Sequence, residues 1–246
     1  MSLSFPIWSF EALRQTSSAS LYQTLFQNGS VLIRDFPVED NHHELIKWAE
    51  SLGHCLQEPW LPSGEKVALV QVDQASQLPA YADTPFAFGL HTDCSEQNQP
   101  PDLVILQCVR PAKEGGASHF LSLTRLLKHL SLADQHLLKN PVFPFREQFF
   151  PILESHAAGY SLRYNRLYQE IFKTCGGLLA PEYEALLNRV DALMQKLQNT
   201  FYLQAGDCWL LLNQHSLHGR SAFPADSDRL LKRMRLHLQV YTDKRV

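Results

Sequence analysis

Residues 91–93 read His-Thr-Asp, and two more imidazoles, His215 and His218, stand far downstream in "GDCWLLLNQHSLHGRSAF" (206–223). In an extended chain residues i and i+2 point the same way, so His91 and Asp93 can offer an imidazole and a carboxylate to one ion while Thr92 turns away. A third ligand must come from elsewhere. Gly206-Asp207 reads as a turn and 208–214 as a strand, with His215 and His218 near its end. Two imidazoles and one carboxylate on one side of a metal leave the opposite positions open, the arrangement used by non-haem Fe(II) centres. An H-x-D triplet also arises by chance, so its meaning depends on its surroundings.

A second chemical feature lies in "DRLLKRMRLHLQVY" (228–241). Alternation puts Arg229, Leu231, Arg233 and Arg235 on one face of a strand. An arginine-bearing face makes a poor core unless it lines a pocket for anions. The alternative is a solvated edge strand whose arginines pair with Asp226 or Asp228. In "EGGAS" (114–118), Gly115 and Gly116 suit a tight turn, and Ser118 brings a hydroxyl to the strand that follows.

The elements that would position these groups are mostly strands. "SVLIRDF", "VALVQV", "DLVILQCV", "ASHFLSL", "YSLRYN", "CWLLLNQ" and "RMRLHLQVY" are short apolar or alternating runs bounded by turn residues. Helical spacing is clear in "NHHELIKWAESLG", which Gly53 stops, and in "APEYEALLNRVDALMQKLQN", with Pro181 in its first turn. A weaker helix is expected over 9–27, and one or two within "LTRLLKHLSLADQHLLKN". Helices and strands do not alternate regularly, which disfavours a doubly wound sheet. The expected class is α+β, mainly β: a sandwich or jelly-roll core with helices packed outside.

The chain has 246 residues, 45% of them hydrophobic, and shows no linker, repeat or charge block, so one domain over 1–246 is expected. A net charge of -3 and a pI near 6.4, with scattered Lys and Arg, argue against nucleic acid or an anionic membrane as partner. No run approaches the roughly 18 apolar residues of a membrane span. The N-terminus lacks a signal-like pattern, and five cysteines without C-x-x-C pairing read as reduced thiols, so a cytoplasmic protein is expected. The sequence sets no oligomeric state.

In order along the chain, "LHTD", "PPDLVILQCVRPAKEGGASHF", "LHGRSAF" and "DRLLKR" resemble the taurine dioxygenase and clavaminate synthase-like group of Fe(II)/2-oxoglutarate oxygenases. The "PPDLVILQC…GGAS" portion is most similar to the γ-butyrobetaine hydroxylase branch. The similarity is anchored at about 89–125 and 204–240, looser near the N-terminus, and slight over 126–200. It implies a double-stranded β-helix with His91, Asp93 and His218 as iron ligands. His218 is preferred to His215 because the family's distal histidine directly precedes Gly-Arg. It further implies that Arg229 anchors 2-oxoglutarate, with Arg233 as the alternative, and that Ser118 reaches the same cosubstrate.

The implied reaction consumes 2-oxoglutarate and O2, releases succinate and CO2, and hydroxylates a C–H bond of a small polar substrate such as an amino acid. Desaturation or ring formation belong to the same chemistry. Arg233, Arg163 and Asn165 are candidate substrate contacts, the last two from the loosely similar "GYSLRYNRLYQE". Trp and Tyr are not clustered as a trimethylammonium cage would require. The rival readings are a non-enzymatic jelly-roll binding protein and a zinc hydrolase using the same ligands. The second would need a general base and would leave the arginine strand unexplained.

Overall fold

Strands buried on both faces carry unbroken apolar runs, and the computed structural model sets three such runs side by side. It describes residues 5–58, 61–73, 75–76, 80–157 and 159–239. The N-terminal third holds β1 (Ile7–Ser9), α1 (Phe10–Arg14), α2 (Ser18–Asn28), β2 (Ser30–Arg34), α3 (His43–Leu52), β3 (Gly53–Cys55) and β4 (Ala68–Val70). Next come β5 (Phe88–His91), β6 (Leu103–Arg110), β7 (Ser118–Ser122), α4 (Leu123–Leu127) and α5 (Leu132–Leu137). Two hairpins follow, β8 (Phe143–Phe145) with β9 (Gln148–Phe150) and β10 (Leu153–His156) with β11 (Gly159–Leu162). The chain continues through α6 (Arg166–Thr174), α7 (Pro181–Leu197), β12 (Asn199–Phe201), β13 (Cys208–Leu212), β14 (Ser216–Arg220) and β15 (Leu230–Leu238).

Two sheets form the core. The larger runs β1-β2-β13-β6-β15-β3, with β4 also on β15; the smaller runs β12-β7-β14-β5. Side-chain alternation sorts the layers. Leu32, Val104, Leu106, Trp209 and Leu211 of the large sheet meet Phe120 and Phe201 of the small one. The opposite face of the large sheet, including Val31, Ile33, Ile105, Leu210 and Met234, is covered by Leu21 and Leu25 of α2 and Leu45, Ala49 and Leu52 of α3. Leu90, Leu121 and Leu217 on the outer face of the small sheet pack under α4 and α7. This is the jelly-roll with outer helices that the pattern predicts.

The expected helix over 9–27 is two helices, because Ser17 accepts from the backbone N–H of Ser20 and starts a new N-terminus. "LTRLLKHLSLADQHLLKN" likewise yields two short helices, each capped by a serine. Helix α6 has no counterpart in the sequence reading; Asn165, expected beside substrate, caps it by accepting from the N–H of Leu167. Strand β15 is not an edge: it pairs with β6 along one side and with β3 and β4 along the other. That removes the solvated-edge reading of its arginines. Residues 240 and 241 of the run read as the last strand lie outside the described residues. No helix among the described residues is long and apolar enough to cross a membrane.

Leu210 of β13 is fully buried in the cluster that the large sheet forms with α2, whereas Leu178 is 92% exposed. Leu210→Ala should lower the unfolding free energy by about 2–5 kcal/mol, and Leu178→Ala should change it by less than about 0.5 kcal/mol. Urea denaturation followed by tryptophan fluorescence measures both.

Candidate active site

The chain crosses from the large sheet to the small one between β13 and β14, through a single turn at Asn213–His215. This crossing separates the two downstream histidines. His215 stays in the turn and packs edge-on against Phe26 of α2. His218 lies in β14 directly opposite His91 of β5. Gly219 permits the close approach, since a Cβ there would stand 2.7 Å from the Phe88 carbonyl oxygen. The pairing shifts register between His218 and Arg220, a bulge that ends the regular ladder beside the site.

Strand β5 stops at His91, so Asp93 lies in a turn rather than on the strand as the i, i+2 reading expects. Other contacts hold it in place. Asn213 accepts from the Asp93 N–H through Oδ1 at 2.8 Å and donates Nδ2 to the Asp93 carbonyl at 2.9 Å. Thr92 does turn away, bonding to the Tyr164 backbone on both sides. Cys94 follows with φ 52, a left-handed conformation that bends the chain away from the ligand position.

His91, Asp93 and His218 are buried, and one potential ligand atom from each lies within 4.8 Å of the others. Asp93 Oδ1 is 3.4 Å from His91 Nε2 and 3.3 Å from His218 Nε2. Ligand atoms about 2.1 Å from a common metal sit about 3 Å apart when adjacent, so the spacing fits. The ring orientation fits as well. His91 Nδ1 donates to the Gly89 carbonyl at 2.9 Å, which turns Nε2 toward the carboxylate. Burial opposes the Asp93 charge, but Arg235 and the two imidazoles outweigh it and hold the carboxyl well below the usual range. Burial and the neighbouring His91 push His218 down to about 4, in keeping with a neutral ligand. Phe88 stacks on His91 with centroids 3.8 Å apart, and Trp209 meets His218 edge-on at 6.2 Å. Both rings limit rotation of the imidazoles.

These residues open into a cleft of about 510 Å³, partly open to solvent. Leu106, Trp209 and Leu231 supply apolar wall, and Ser118, Arg229 and Arg233 bring polar groups. Arg229 is buried, its guanidinium 5.2 Å from the Phe223 ring centre and its Nη1 without a hydrogen-bond partner. Arg233 Nε is likewise buried and unpartnered. Burial lowers the pKa of both groups, and neighbouring Arg235 lowers that of Arg233 further. A buried guanidinium nitrogen without a hydrogen-bond partner is costly until an acceptor arrives.

The Gly-Gly turn shapes the far end of the cleft. Gly115 has φ 64, and a Cβ there would stand 2.2 Å from the Ala222 carbonyl oxygen. Gly116 lies against the Arg229 side chain, and its N–H donates to the Ala222 carbonyl at 3.0 Å. Ser118, the first residue of β7, lines the cleft close behind.

Arg163 and Asn165 are absent from the cleft lining. The Arg163 guanidinium donates to the carbonyls of Ser95 and Gln97 and lies 4.0 Å from the Phe150 ring centre. It braces the loop behind Asp93. The sequence reading missed four positions. Arg235 pairs with Asp93 and with Glu58, Asn213 clasps the Asp93 backbone, and Arg220 donates to the carbonyls of Ala82, Thr84 and Phe86. Arg235 continues an alternation already visible, and Arg220 belongs to the "HGR" stretch. Nothing near Glu58 marks it.

Two facing sheets with this cluster between them define a jelly-roll built around a candidate metal centre. Over residues 2–235 the chain matches the model of the taurine catabolism dioxygenase TauD, TfdA family, and it belongs to that family. A search of curated proteins finds no match. Similar solved structures include an asparagine oxygenase in complex with Fe(II), 2S,3S-3-hydroxyasparagine and succinate, at 17% identity and a TM-score of 0.73, covering 93% of this chain and 79% of that one. The non-haem iron oxygenase OrfP, in complex with Fe and α-ketoglutaric acid, matches at 16% identity and TM-score 0.69, over 95% and 84%. A taurine dioxygenase from Burkholderia xenovorans matches at 20% and 0.64, over 90% and 81%.

Gly115→Ala should cost about 1–3 kcal/mol from the left-handed backbone alone, with a further loss from the clash with Ala222. Differential scanning calorimetry should therefore give a lower melting temperature than for Gly64→Ala, where φ is also positive but the Cβ meets nothing within 4 Å.

Proposed function

We propose that the chain is an Fe(II)- and 2-oxoglutarate-dependent oxygenase that hydroxylates a C–H bond of a small carboxylate-bearing molecule such as a free amino acid. The observation that carries this reading is the His91–Asp93–His218 cluster beside the guanidinium groups of Arg229 and Arg233, each of which keeps a buried nitrogen without a hydrogen-bond partner. Bound iron, with 2-oxoglutarate and O2, supplies oxidative decarboxylation to succinate and CO2 coupled to oxidation of the substrate. The chain's own residues hold and orient. His91, Asp93 and His218 bind the metal. Arg229 pairs with the remote carboxylate of 2-oxoglutarate, assisted by the Ser118 hydroxyl. Leu106, Trp209 and Leu231 exclude water from the same space.

Charge balance supports the substrate class. Asp93 and Glu58 offset two of the guanidinium charges of Arg229, Arg233 and Arg235, and Fe(II) offsets a 2-oxoglutarate dianion. Asp83 faces Arg233 and, less strongly, Arg220. Counting these four guanidinium groups, Asp93, Glu58, Asp83, Fe(II) and the dianion, one positive charge is left over, which supports Arg233 as the partner of an acidic group on the substrate. Arg233 is roughly 13 Å along the strand from Arg229, too far for both to hold one carboxylate directly. Two of the structural relatives carry hydroxylated amino acids, 3-hydroxyasparagine and dihydroxyarginine, which fits a substrate of this kind. Five unpaired cysteines support a cytoplasmic location.

Succinate release with a panel of amino acids and related acids tests the reading. Activity should require Fe(II) and 2-oxoglutarate together. His91→Ala, Asp93→Ala and His218→Ala should each abolish it, while His215→Ala should retain it. An inactive His215→Ala beside an active, iron-loaded His218→Ala would reassign the distal ligand.

Calorimetric titration should show 2-oxoglutarate affinity falling by about 2–5 kcal/mol in Arg229→Ala, the cost of breaking a buried charge pair. The loss in Ser118→Ala should be about 1.5–3 kcal/mol. Arg233→Ala should raise the substrate KM and leave cosubstrate affinity nearly unchanged. Wild-type affinity in Arg229→Ala with a collapse in Arg233→Ala would exchange the two roles.

A further inference from the structure

Asp93 gives its two carboxylate oxygens different neighbours. Oδ1 faces the imidazole nitrogens of His91 and His218. Oδ2 instead accepts from Arg235 Nε at 2.7 Å. Another edge of that guanidinium is fixed by Glu58, whose Oε1 accepts from Arg235 Nη1. Asp93, Arg235 and Glu58 are all buried, so water does not compete for these contacts. Arg235 is also the third arginine of the alternation that begins at Arg229, just before β15, and continues through Arg233 within it.

A carboxylate whose second oxygen is unengaged can swing to grip a metal with both. Two-oxygen binding would occupy a position that the cosubstrate or O2 needs. The planar guanidinium fork prevents this by engaging Oδ2 from one side while Glu58 holds the fork itself, a geometry that a compact ammonium cannot copy. We infer that Arg235, braced by Glu58, is the positioning residue that makes Asp93 a one-oxygen ligand and keeps a coordination position open. The inference rests on the metal-centre reading above. It goes further by assigning to the cosubstrate strand control over the metal's carboxylate.

Co(II), a coloured stand-in for Fe(II), tests it without any substrate. The wild type, His218→Ala, Arg235→Lys, Arg235→Met and Glu58→Gln are purified, checked for native fold by near-UV circular dichroism, and titrated with Co(II). Affinity and the visible absorption of the bound ion are both read. The Arg235 variants should bind Co(II) about 10–100-fold more weakly, the usual effect of losing a partner behind a metal ligand, and with an altered spectrum. Glu58→Gln should shift both in the same direction by less. A purely structural ion triad would change melting temperature but leave the spectrum of the bound ion untouched.

A folded Arg235→Lys with wild-type affinity and spectrum overturns the inference. Should neither Arg235 variant fold, Glu58→Gln decides, and an unaltered affinity and spectrum there overturns it equally. A wild type that binds Co(II) no better than His218→Ala would instead sink the metal-centre reading and this inference with it.

Discussion

Everything in the cleft depends on guanidinium groups being buried between two sheets. Arg229 and Arg235, flanking most of the inner face of β15, are each less than a tenth exposed. Removing such charges from water costs several kcal/mol apiece unless anions meet them. Arg235 has its anions in Asp93 and Glu58. Arg229 and Arg233 keep unpartnered nitrogens, and on the proposed reading this imbalance favours acidic ligands. The apolar residues beside them sharpen it, because charges attract more strongly where water is excluded.

The segment that carries the candidate ligand Asp93 is held from several directions at once. Asn213 fixes the Asp93 backbone, the Tyr164 backbone fixes Thr92, Arg163 fixes the carbonyls of Ser95 and Gln97, and Arg235 fixes the Asp93 carboxylate. These partners come from different elements, so the turn at 92–97 has little freedom although it belongs to no strand. Rigid placement of this kind is what a reaction controlled by geometry requires.

Much of this was legible in the sequence. Alternation along 229–235 predicts the arginine face although Arg229 precedes β15 and the pairing with β6 shifts register between Leu230 and Leu231, and apolar runs in β2, β6 and β13 predict a core buried on both sides. Composition and spacing left His215 and His218 equivalent, and only the family resemblance preferred His218. Structure supplies a physical distinction, since the chain changes sheet at Asn213–His215 and leaves His215 against α2. Period-2 reasoning put Asp93 on a strand and was misled, because the ladder ends at His91 and long-range contacts do the rest. Glu58 and Arg163 were illegible for the same reason: their partners are distant in sequence, and no local pattern encodes them. Helix α6 was hidden by the strand-like "GYSLRYN" that runs directly into it.

The contact between Arg235 and Asp93 joins residues 142 positions apart, and that between Arg235 and Glu58 spans 177. Contacts of such long range form late, after loop-closure entropy has been overcome and the sheets have begun to assemble. Until β15 has inserted between β6 and its neighbours on the other side, Asp93 lacks its guanidinium and the cleft lacks a wall. A partly folded chain in which β15 is not yet in place therefore has both histidines of the cluster but no finished pocket, which ties iron binding at this cluster to completion of the sheet that encloses it.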